Sequence, residues 1–162
     1  MKALLVLLAL AACSPAPATR EIPVRDPSHP IASKADLELD RLTGPWREVA
    51  RLPGGGACPG AVVDIARNGD RLIMARTCAG GRPVPRQVAV TGPGRLTDVA
   101  SGRAEWILWI DADYRTAILA DPHGTGARVL DRDGAPPPDR RQAVGVVLDF
   151  NGYPTDRLVW TE

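Results

Sequence analysis

Among the residues of this chain that could act as nucleophiles, bases or metal ligands, three are cysteines and two are histidines. His29 lies in a proline-rich stretch and His123 in a glycine-rich one, and neither adjoins a serine or cysteine in a nucleophile motif. The sequence contains no Gly-x-Ser-x-Gly, no phosphate-binding loop and no cluster of metal ligands. It therefore predicts a non-enzyme with no catalytic residue, no metal and no cofactor.

The first cysteine, Cys13, ends a short targeting segment. Lys2 precedes an apolar run over 3–10 and then Leu-Ala-Ala-Cys at 10–13, which is the order of a secretory signal too short to span about 30 Å of hydrocarbon. The ending resembles the lipobox of bacterial lipoproteins. That resemblance implies cleavage before Cys13, lipidation of Cys13 and, because Ser14 follows rather than aspartate, an outer-membrane location facing the periplasm. An ordinary secretory peptide with an incidental cysteine is the alternative.

The other two cysteines, Cys58 and Cys78, are expected to form a disulfide. Such bonds persist in exported proteins, and closing a loop of about 20 residues contributes roughly 3 kcal/mol in the chain-entropy model. Metal binding is the alternative, but no histidine or further cysteine lies near either residue in the sequence to complete a tetrahedral site.

The chain divides into three segments. Residues 1–12 are the predicted lipoprotein signal peptide, and 13–33 are rich in proline, which predicts an extended tether. Residues 34–162 are long enough for one domain with an apolar core. The net charge of +1 and the lack of a basic block argue against nucleic acid as a partner.

Short β-type runs fill the first part of the domain, separated by turn residues at intervals of about eight to twelve positions, a spacing that predicts an all-β barrel or sandwich. The predicted strands are 46–52, 61–67, 71–78, 86–91, 95–100, 104–111, 116–120 and 127–131. Asn68-Gly69 predicts a two-residue hairpin turn that sets Arg67 opposite Asp70. A short helical turn is predicted in front of the strands, at 35–42.

One helix interrupts the strand pattern. Prolines at 136–138 precede Asp139, which predicts a capping box with Gln142. Apolar residues over 143–150 have helical spacing, and a glycine and a proline then predict the end of the helix. A last short strand is predicted at 157–161.

Three motifs in this order resemble the signature positions of the lipocalins. They are a Gly-x-Trp at the first strand (Gly44 and Trp46), a turn between the sixth and seventh strands (Asp113 and Tyr114) and an arginine after the eighth strand (Arg132). The helix and final strand follow in the same order, and bacterial lipocalins are themselves often lipoproteins. Pro45 and Arg47 depart from the family pattern.

The lipocalin resemblance implies an all-β fold: an eight-stranded antiparallel up-and-down barrel, with one C-terminal helix packed outside and a final short strand. It implies that Trp46 fills the closed end of the barrel and that Arg132 lies across its face in a cation–π contact. The Asp113-Tyr114 turn would belong to the same structural end.

Eight side chains are predicted to face a ligand cavity inside the barrel. On the first and eighth strands they follow from alternation with Trp46 and Arg132. On the sixth and seventh strands they follow from the resemblance, and the opposite phase would instead bring Trp106, Leu108 and Ile110 inside. The predicted cavity residues are Glu48, Ala50, Ile107, Trp109, Ile118, Ala120, Arg128 and Leu130.

Glu48 and Arg128 would bring a carboxylate and a guanidinium into or near that cavity. One hypothesis is that they anchor the headgroup of a ligand, with Arg128 meeting a carboxylate or phosphate. The other is that they form a salt bridge with each other and fill a narrow barrel.

Together these features predict a lipid-anchored protein that binds a small hydrophobic ligand or an amphipathic one, such as a fatty acid or lysophospholipid. Burial of an acyl chain in the cup would supply about 25 cal/mol per Å². The alternative is an envelope structural or interaction lipoprotein whose barrel is filled by its own side chains. The low count of aromatic residues, with one Phe and two Tyr, favours this alternative. The ligand and the oligomeric state stay open.

Overall fold

The structure, a computed structural model, describes residues 23–53, 58 and 60–161. The signal peptide, Cys13 and the predicted tether up to residue 22 lie outside the described residues. In chain order the elements are α1 (Leu39–Leu42), β1 (Gly44–Arg51), β2 (Val62–Asn68), β3 (Arg71–Thr77), β4 (Val84–Gly92), β5 (Arg95–Asp98), β6 (Ala104–Ile110), β7 (Thr116–Ala120), β8 (Ala127–Asp131), α2 (Pro138–Phe150), a 3₁₀ turn (Thr155–Arg157) and β9 (Val159–Trp160).

Strands β1 to β8 form a closed antiparallel barrel. Each pairs with the next strand in the sequence, and β1 also pairs with β8, which closes the sheet. The short strand β9 pairs with the end of β1, where Trp160 lies opposite Ala50. Helix α2 packs against the outside of the barrel wall. The predicted fold class is therefore confirmed.

One apolar core fills the interior of the barrel. Its members come from the inward-facing, alternate positions of the strands and from α1. They are Leu42, Trp46, Val63, Ile65, Leu72, Met74, Val88, Leu96, Ile107, Ile110, Tyr114, Ala117, Leu119 and Leu130. None of these residues is more than 6% exposed, so this part of the barrel is packed with its own side chains.

A second apolar core, the outer core, lies between the barrel wall and α2. The helix contributes Val144 and Leu148, which are both fully buried. The wall contributes outward-facing residues of β1, β6, β7 and β8. The outer core comprises Val49, Ala50, Leu52, Leu108, Ile118, Ala120, Ala127, Val129, Val144, Leu148 and Tyr153.

Two β-bulges change which side chains face the interior. The register shifts between Glu48 and Ala50 on β1, and between Ile107 and Trp109 on β6. A bulge inserts one extra residue, so the alternation of side chains reverses beyond it. On β1, the side chains of Trp46 and Glu48 therefore face the interior, but Ala50, beyond the bulge, belongs to the outer core.

Two local predictions are wrong. The β2–β3 turn is Gly69-Asp70, which sets Arg67 opposite Leu72 rather than Asp70. Gly69 has a φ of 63°, a conformation that glycine adopts at little cost, so glycine takes the first turn position. Helix α2 begins at Pro138 with no side-chain cap, because proline is well suited to the first helical position. The capping box at Asp139 is therefore not formed.

Other strand ends also differ from the prediction. Strand β1 begins at Gly44, and β4 begins at Val84. Strand β5 ends at Asp98 because its carboxylate accepts hydrogen bonds from the backbone N–H groups of Ala100 and Ser101, which turn the chain.

Residues 23–34, which we call the N-terminal strap, pack on the barrel. The backbone N–H groups of Val24, Asp26 and Lys34 each donate to a carbonyl of the domain at 2.8 Å. Ile31 packs against the outer core. The described part of the predicted tether therefore belongs to the domain, because an extended proline-rich chain has backbone groups free to bond along a surface.

The disulfide between Cys58 and Cys78 is confirmed, with the two Cα atoms 5.1 Å apart. It links the segment before β2 to the segment after β3. Because the sulfurs bond to each other, the metal-binding alternative for this pair is wrong. Among the residues that the structure describes, no group of three or more His, Cys, Asp or Glu side chains could hold a metal ion. No helix within those residues is both long and apolar enough to span a membrane.

Candidate ligand-binding site

The barrel has a closed end, at which Trp46 and Arg132 contact each other. The guanidinium carbon of Arg132 lies 3.9 Å from the centroid of the buried Trp46 ring. Arg132 also donates to the carbonyl oxygens of Arg41 and Thr43, both at 2.8 Å, and the Trp46 indole N–H donates to the Leu42 carbonyl at 2.8 Å. These contacts tie α1, β1 and the end of β8 together, so both residues have structural partners.

Gly44 makes room for this arrangement. Its φ is 98°, and a Cβ placed on it would lie 3.0 Å from Nη1 of Arg132. Both observations favour glycine at this position, one through the backbone conformation and the other through space.

The β6–β7 turn belongs to the same end. Tyr114, with a φ of 57°, is buried, and its hydroxyl accepts a hydrogen bond from the Glu38 N–H at 2.7 Å. Asp113 is exposed. The carboxylate that organises this turn is Asp111, which accepts from the N–H groups of Arg115 and Thr116 at 2.7 and 2.6 Å.

A cavity of about 330 Å³ opens at the other end of the barrel. Nine of its fifteen lining residues are charged, and Leu52, Ala104 and Ala127 are apolar. The cationic lining residues are Arg51, Arg76, Arg86, Arg103 and Arg128, and the anionic ones are Glu48, Asp98, Glu105 and Asp121. The cavity therefore carries one more guanidinium than carboxylate.

The floor of the cavity is a layer of ion pairs, which we call the ion-pair layer: Glu48, Arg76, Arg86, Glu105 and Arg128. Nη2 of Arg76 donates to both carboxylate oxygens of Glu48, at 3.0 and 2.9 Å. Glu105 accepts from Nε and Nη2 of Arg128, at 2.9 and 2.5 Å, and from Nη2 of Arg86. Burial raises the pKa of Glu105, but Arg128 and Arg86 outweigh that effect and keep the pKa below its usual range.

Asp98 extends the charged lining toward the rim. Its carboxylate accepts from the Ser101 N–H at 2.7 Å and from the Ser101 hydroxyl at 2.8 Å. These bonds hold the pKa of Asp98 below its usual range, with a smaller contribution from Arg86. Nη1 of Arg86 lies 3.9 Å from Asp98, so this guanidinium faces two carboxylates.

Arg76 carries an unsatisfied donor. Its Nε is buried and has no hydrogen-bond partner among the described residues. A buried donor without an acceptor costs about 1–3 kcal/mol. An oxygen acceptor that reached Nε, after a small movement of the atoms that cover it, would remove this cost.

Comparison with known proteins gives the fold but no close relative. No family model matches the chain, and no curated protein matches it. Among solved structures, apocrustacyanin C2 is similar over 80% of this chain and 88% of its own, with 14% identity and a TM-score of 0.55. Lobster apocrustacyanin A1 is similar over 75% and 77%, with 14% identity and a TM-score of 0.56. The chain has the lipocalin fold. At this identity the likeness concerns the fold alone.

Within this barrel, two of the eight predicted cavity residues line the cavity and two lie in the apolar interior. Glu48 and Arg128 are in the cavity wall, and Ile107 and Leu130 are in the core below it. Glu48 and Arg128 do not pair with each other, because each has another partner: Arg76 for Glu48 and Glu105 for Arg128.

The prediction is wrong for the other four residues: Ala50, Ile118 and Ala120 belong to the outer core, and Trp109 packs against it. For Ala50 and Trp109 the reason is the bulge that precedes each. For Ile118 and Ala120 the reason is the phase of β7, whose inward residues are Ala117 and Leu119. The opposite phase for β6, which would bring Trp106, Leu108 and Ile110 inside, is correct only for Ile110. Leu108 is in the outer core, and Trp106 packs against it.

Most other residues of the cavity wall were not predicted, and four of them are charged residues on the inward-facing rows of strands: Arg76, Arg86, Asp98 and Glu105. The sequence does contain a signal for them, in the alternate positions of each strand that face the barrel interior. On six strands the inward row changes from apolar to charged toward the open end. The pairs are Trp46 and Glu48, Met74 and Arg76, Val88 and Arg86, Leu96 and Asp98, Ile107 and Glu105, and Leu130 and Arg128.

Proposed function

We propose that this protein is a lipid-anchored protein of the bacterial outer membrane, facing the periplasm, that binds a small amphipathic ligand and catalyses no reaction. The observation that carries the ligand-binding part of the proposal is the cavity at the open end, about 330 Å³ in volume, with five arginines against four carboxylates. The anchor and the location rest on the lipobox-like residues 10–13 and on Ser14 in the sequence. Guanidinium groups bind carboxylates and phosphates through charge-assisted, often bidentate, hydrogen bonds. The ligand therefore carries an anionic group of one of these kinds.

The anionic group, rather than the acyl chain, enters the cavity. The interior below the ion-pair layer is occupied by buried apolar side chains such as Met74, Ile107 and Leu130. The apolar part of the ligand lies toward the rim, where Val84 is 68% exposed. Val84 is directly opposite Arg76 in the β3–β4 ladder and shares its face of the sheet. Fatty acids and lysophospholipids have this division between an anionic group and an acyl chain.

Arg76 is the residue best placed to receive the anionic group. It lines the cavity, and its buried Nε has no acceptor within the described residues. Its Nη2 already holds Glu48, which fixes the plane of the guanidinium. A ligand oxygen reaches this side chain through its exposed part, which is 27% of the side chain, and a small shift of the atoms that cover Nε would let the oxygen accept from that donor as well.

One observation favours a second candidate function, that of an envelope interaction protein with no small ligand. The apolar interior is filled, and the ion-pair layer satisfies most of its own charges. In that case the charged cavity is only the polar cover of the core, and the protein acts through its outer surface.

Native mass spectrometry of the processed chain, purified from its own envelope, separates the two candidates. A bound mass in the range of a fatty acid or lysophospholipid, lost on denaturation, is the result that we expect. A bare chain that also takes up neither palmitate nor a lysophosphatidylglycerol would contradict ligand binding and favour the interaction protein.

A further inference from the structure

An exposed apolar pair lies on the solvent side of α2. Val146 and Phe150 are four residues apart, which places them on one face of the helix, and they are 64% and 63% exposed. The opposite face, with Val144 and Leu148, is fully buried in the outer core. Phe150 is the single phenylalanine of the chain. The helix therefore exposes to solvent an apolar pair that the fold itself does not bury.

The C-terminal end of α2 lies near the open end of the barrel. The hydroxyl of Tyr153, which follows the helix, donates to the carbonyl of Asp121 at 2.6 Å. Asp121 lines the cavity and begins the β7–β8 loop. Phe150 is the last residue of the helix, so the exposed pair is on the same end of the molecule as the cavity.

The N-terminal strap meets the domain at this place. Arg25 donates through Nε to the Asn151 carbonyl at 2.7 Å. The N–H of Asp26 donates to the Gly152 carbonyl, and that of Val24 to the Gly124 carbonyl, each at 2.8 Å. The strap therefore bonds both to the end of α2 and to the β7–β8 loop at the cavity.

Two glycines make room for the strap. A Cβ on Gly124 would lie 2.6 Å from the Cβ of Arg25, and one on Gly152 would lie 2.7 Å from the carbonyl oxygen of Asp26. Both distances are shorter than van der Waals contact. The chain therefore enters the domain at a fixed point, beside Phe150 and the cavity.

The proposed lipid anchor is close to this point in the sequence. Pro23 is ten positions after Cys13, and a chain of ten residue steps spans at most about 36 Å when fully extended. The geometry points to a docking surface: the solvent face of α2, with Val146 and Phe150, binds the surface of the bilayer that holds the anchor. This inference rests on the proposed lipidation of Cys13.

A bilayer fits this surface because the anchor would hold the solvent face of α2 near the membrane, at a high effective concentration of lipid. Two apolar side chains bind lipid weakly by themselves, but an interfacial helix inserts such residues once a second signal holds it at the membrane. Docking through α2 would hold the open end of the barrel beside the headgroups, so that an anionic amphipath could pass between the bilayer and the cavity.

Fluorophore labelling of the full processed chain tests this surface. Phe150→Cys is labelled with the environment-sensitive fluorophore NBD in protein reconstituted into vesicles of phosphatidylethanolamine and phosphatidylglycerol at about 3:1. The matched control is Asp70→Cys, in the exposed β2–β3 turn at the closed end. Cys58 and Cys78 are bonded to each other and do not react with the label. Circular dichroism of both variants checks that they are folded.

We expect the NBD label at position 150 to emit at shorter wavelength than the label at position 70 and to be quenched by nitroxide-bearing lipids. An anchored chain whose label at 150 matches the control would overturn the docking inference alone. A chain that does not float with the vesicles and has no acyl mass on Cys13 would overturn both the anchor and the docking.

Discussion

Arg76 and Glu48 meet on the inner face of the barrel from two strands that are not neighbours. Nη2 of Arg76 on β3 lies 3.0 and 2.9 Å from the two carboxylate oxygens of Glu48 on β1, and β2 separates these strands. Glu48 is only 4% exposed. The contact marks the level at which the apolar interior ends and the charged cavity begins.

The first prediction concerns Trp46. Trp46→Ala removes the largest side chain of the barrel interior and the partner of Arg132, so we expect a loss of about 3–5 kcal/mol in the free energy of unfolding. Urea denaturation followed by far-ultraviolet circular dichroism measures it. Phe150→Ala, at an exposed aromatic position, is the control and should change the stability by no more than about 0.5 kcal/mol. Equal midpoints for the two variants would refute the structural role of Trp46.

The second prediction uses two glycines in opposite situations. Gly44→Ala should destabilise the fold by more than about 1 kcal/mol, because φ is 98° and Arg132 occupies the space of the new Cβ. Gly145→Ala, in α2 with nothing within 4 Å of the new Cβ, should stabilise the fold by about 0.5–1 kcal/mol. Thermal melts that shift in the same direction for both would argue against this account.

The third prediction concerns the disulfide. The double variant Cys58→Ser/Cys78→Ser should lose about 3 kcal/mol of stability, since the unfolded chain is no longer constrained by the closed loop. The same loss is expected when the wild type is reduced. Mass spectrometry of unfolded but unreduced wild type should find no free thiol at either position, and two free thiols would disprove the bond in the exported protein.

The fourth prediction concerns acid. The pKa of Glu105 is lowered in the folded state by Arg128 and Arg86 against the cost of burial, so its ionised form stabilises the fold at pH values above its ordinary pKa of 4.5. That contribution is lost as the pH falls through the lower, folded-state pKa. Urea unfolding between about pH 3 and pH 7 should show a decline at the acidic end. Glu105→Gln should reduce this decline, and an unchanged slope would contradict the role of Glu105.

The closed end could be predicted from short motifs together with the lipocalin resemblance, since the resemblance, and no local pattern, implies the contact of Trp46 with Arg132. Gly44 and Trp46 are two residues apart, and the turn at Tyr114 is set by its neighbour Asp111. The order of strands and helix also follows from alternation and turn residues. These features need no knowledge of which strands pair across the barrel.

On several strands, the sequence alone could not predict which residues face the barrel interior, because β-bulges change the alternation of side chains. The extra residue on β1 moves Ala50 to the outer core, and the one on β6 makes Trp109 pack against that core. A bulge is set by the pairing of two strands and has no sequence signal of its own here. The mutual salt bridge of Glu48 and Arg128, one of the two hypotheses, is not formed for a related reason: their partners lie on β3 and β6, each two strands away in the barrel wall.

The central claim is that an anionic amphipath binds at Arg76, and a native mass spectrometry titration of three forms of the processed chain tests it most directly. The wild type, Arg76→Gln and the control Arg71→Gln, on the same strand but exposed, are titrated with palmitate and with a lysophosphatidylglycerol. Loss of a charge-assisted hydrogen bond is worth about 1.5–3 kcal/mol, so we expect Arg76→Gln to bind at least one ligand about 10- to 100-fold more weakly and Arg71→Gln to match the wild type.

Folding has to be monitored in this comparison, because Arg76→Gln leaves Glu48 without its partner. If the melting temperature falls sharply, the double variant Glu48→Gln/Arg76→Gln removes the buried pair together and takes the place of the single variant. Folded variants that bind both ligands as tightly as the wild type would contradict the cavity as the binding site.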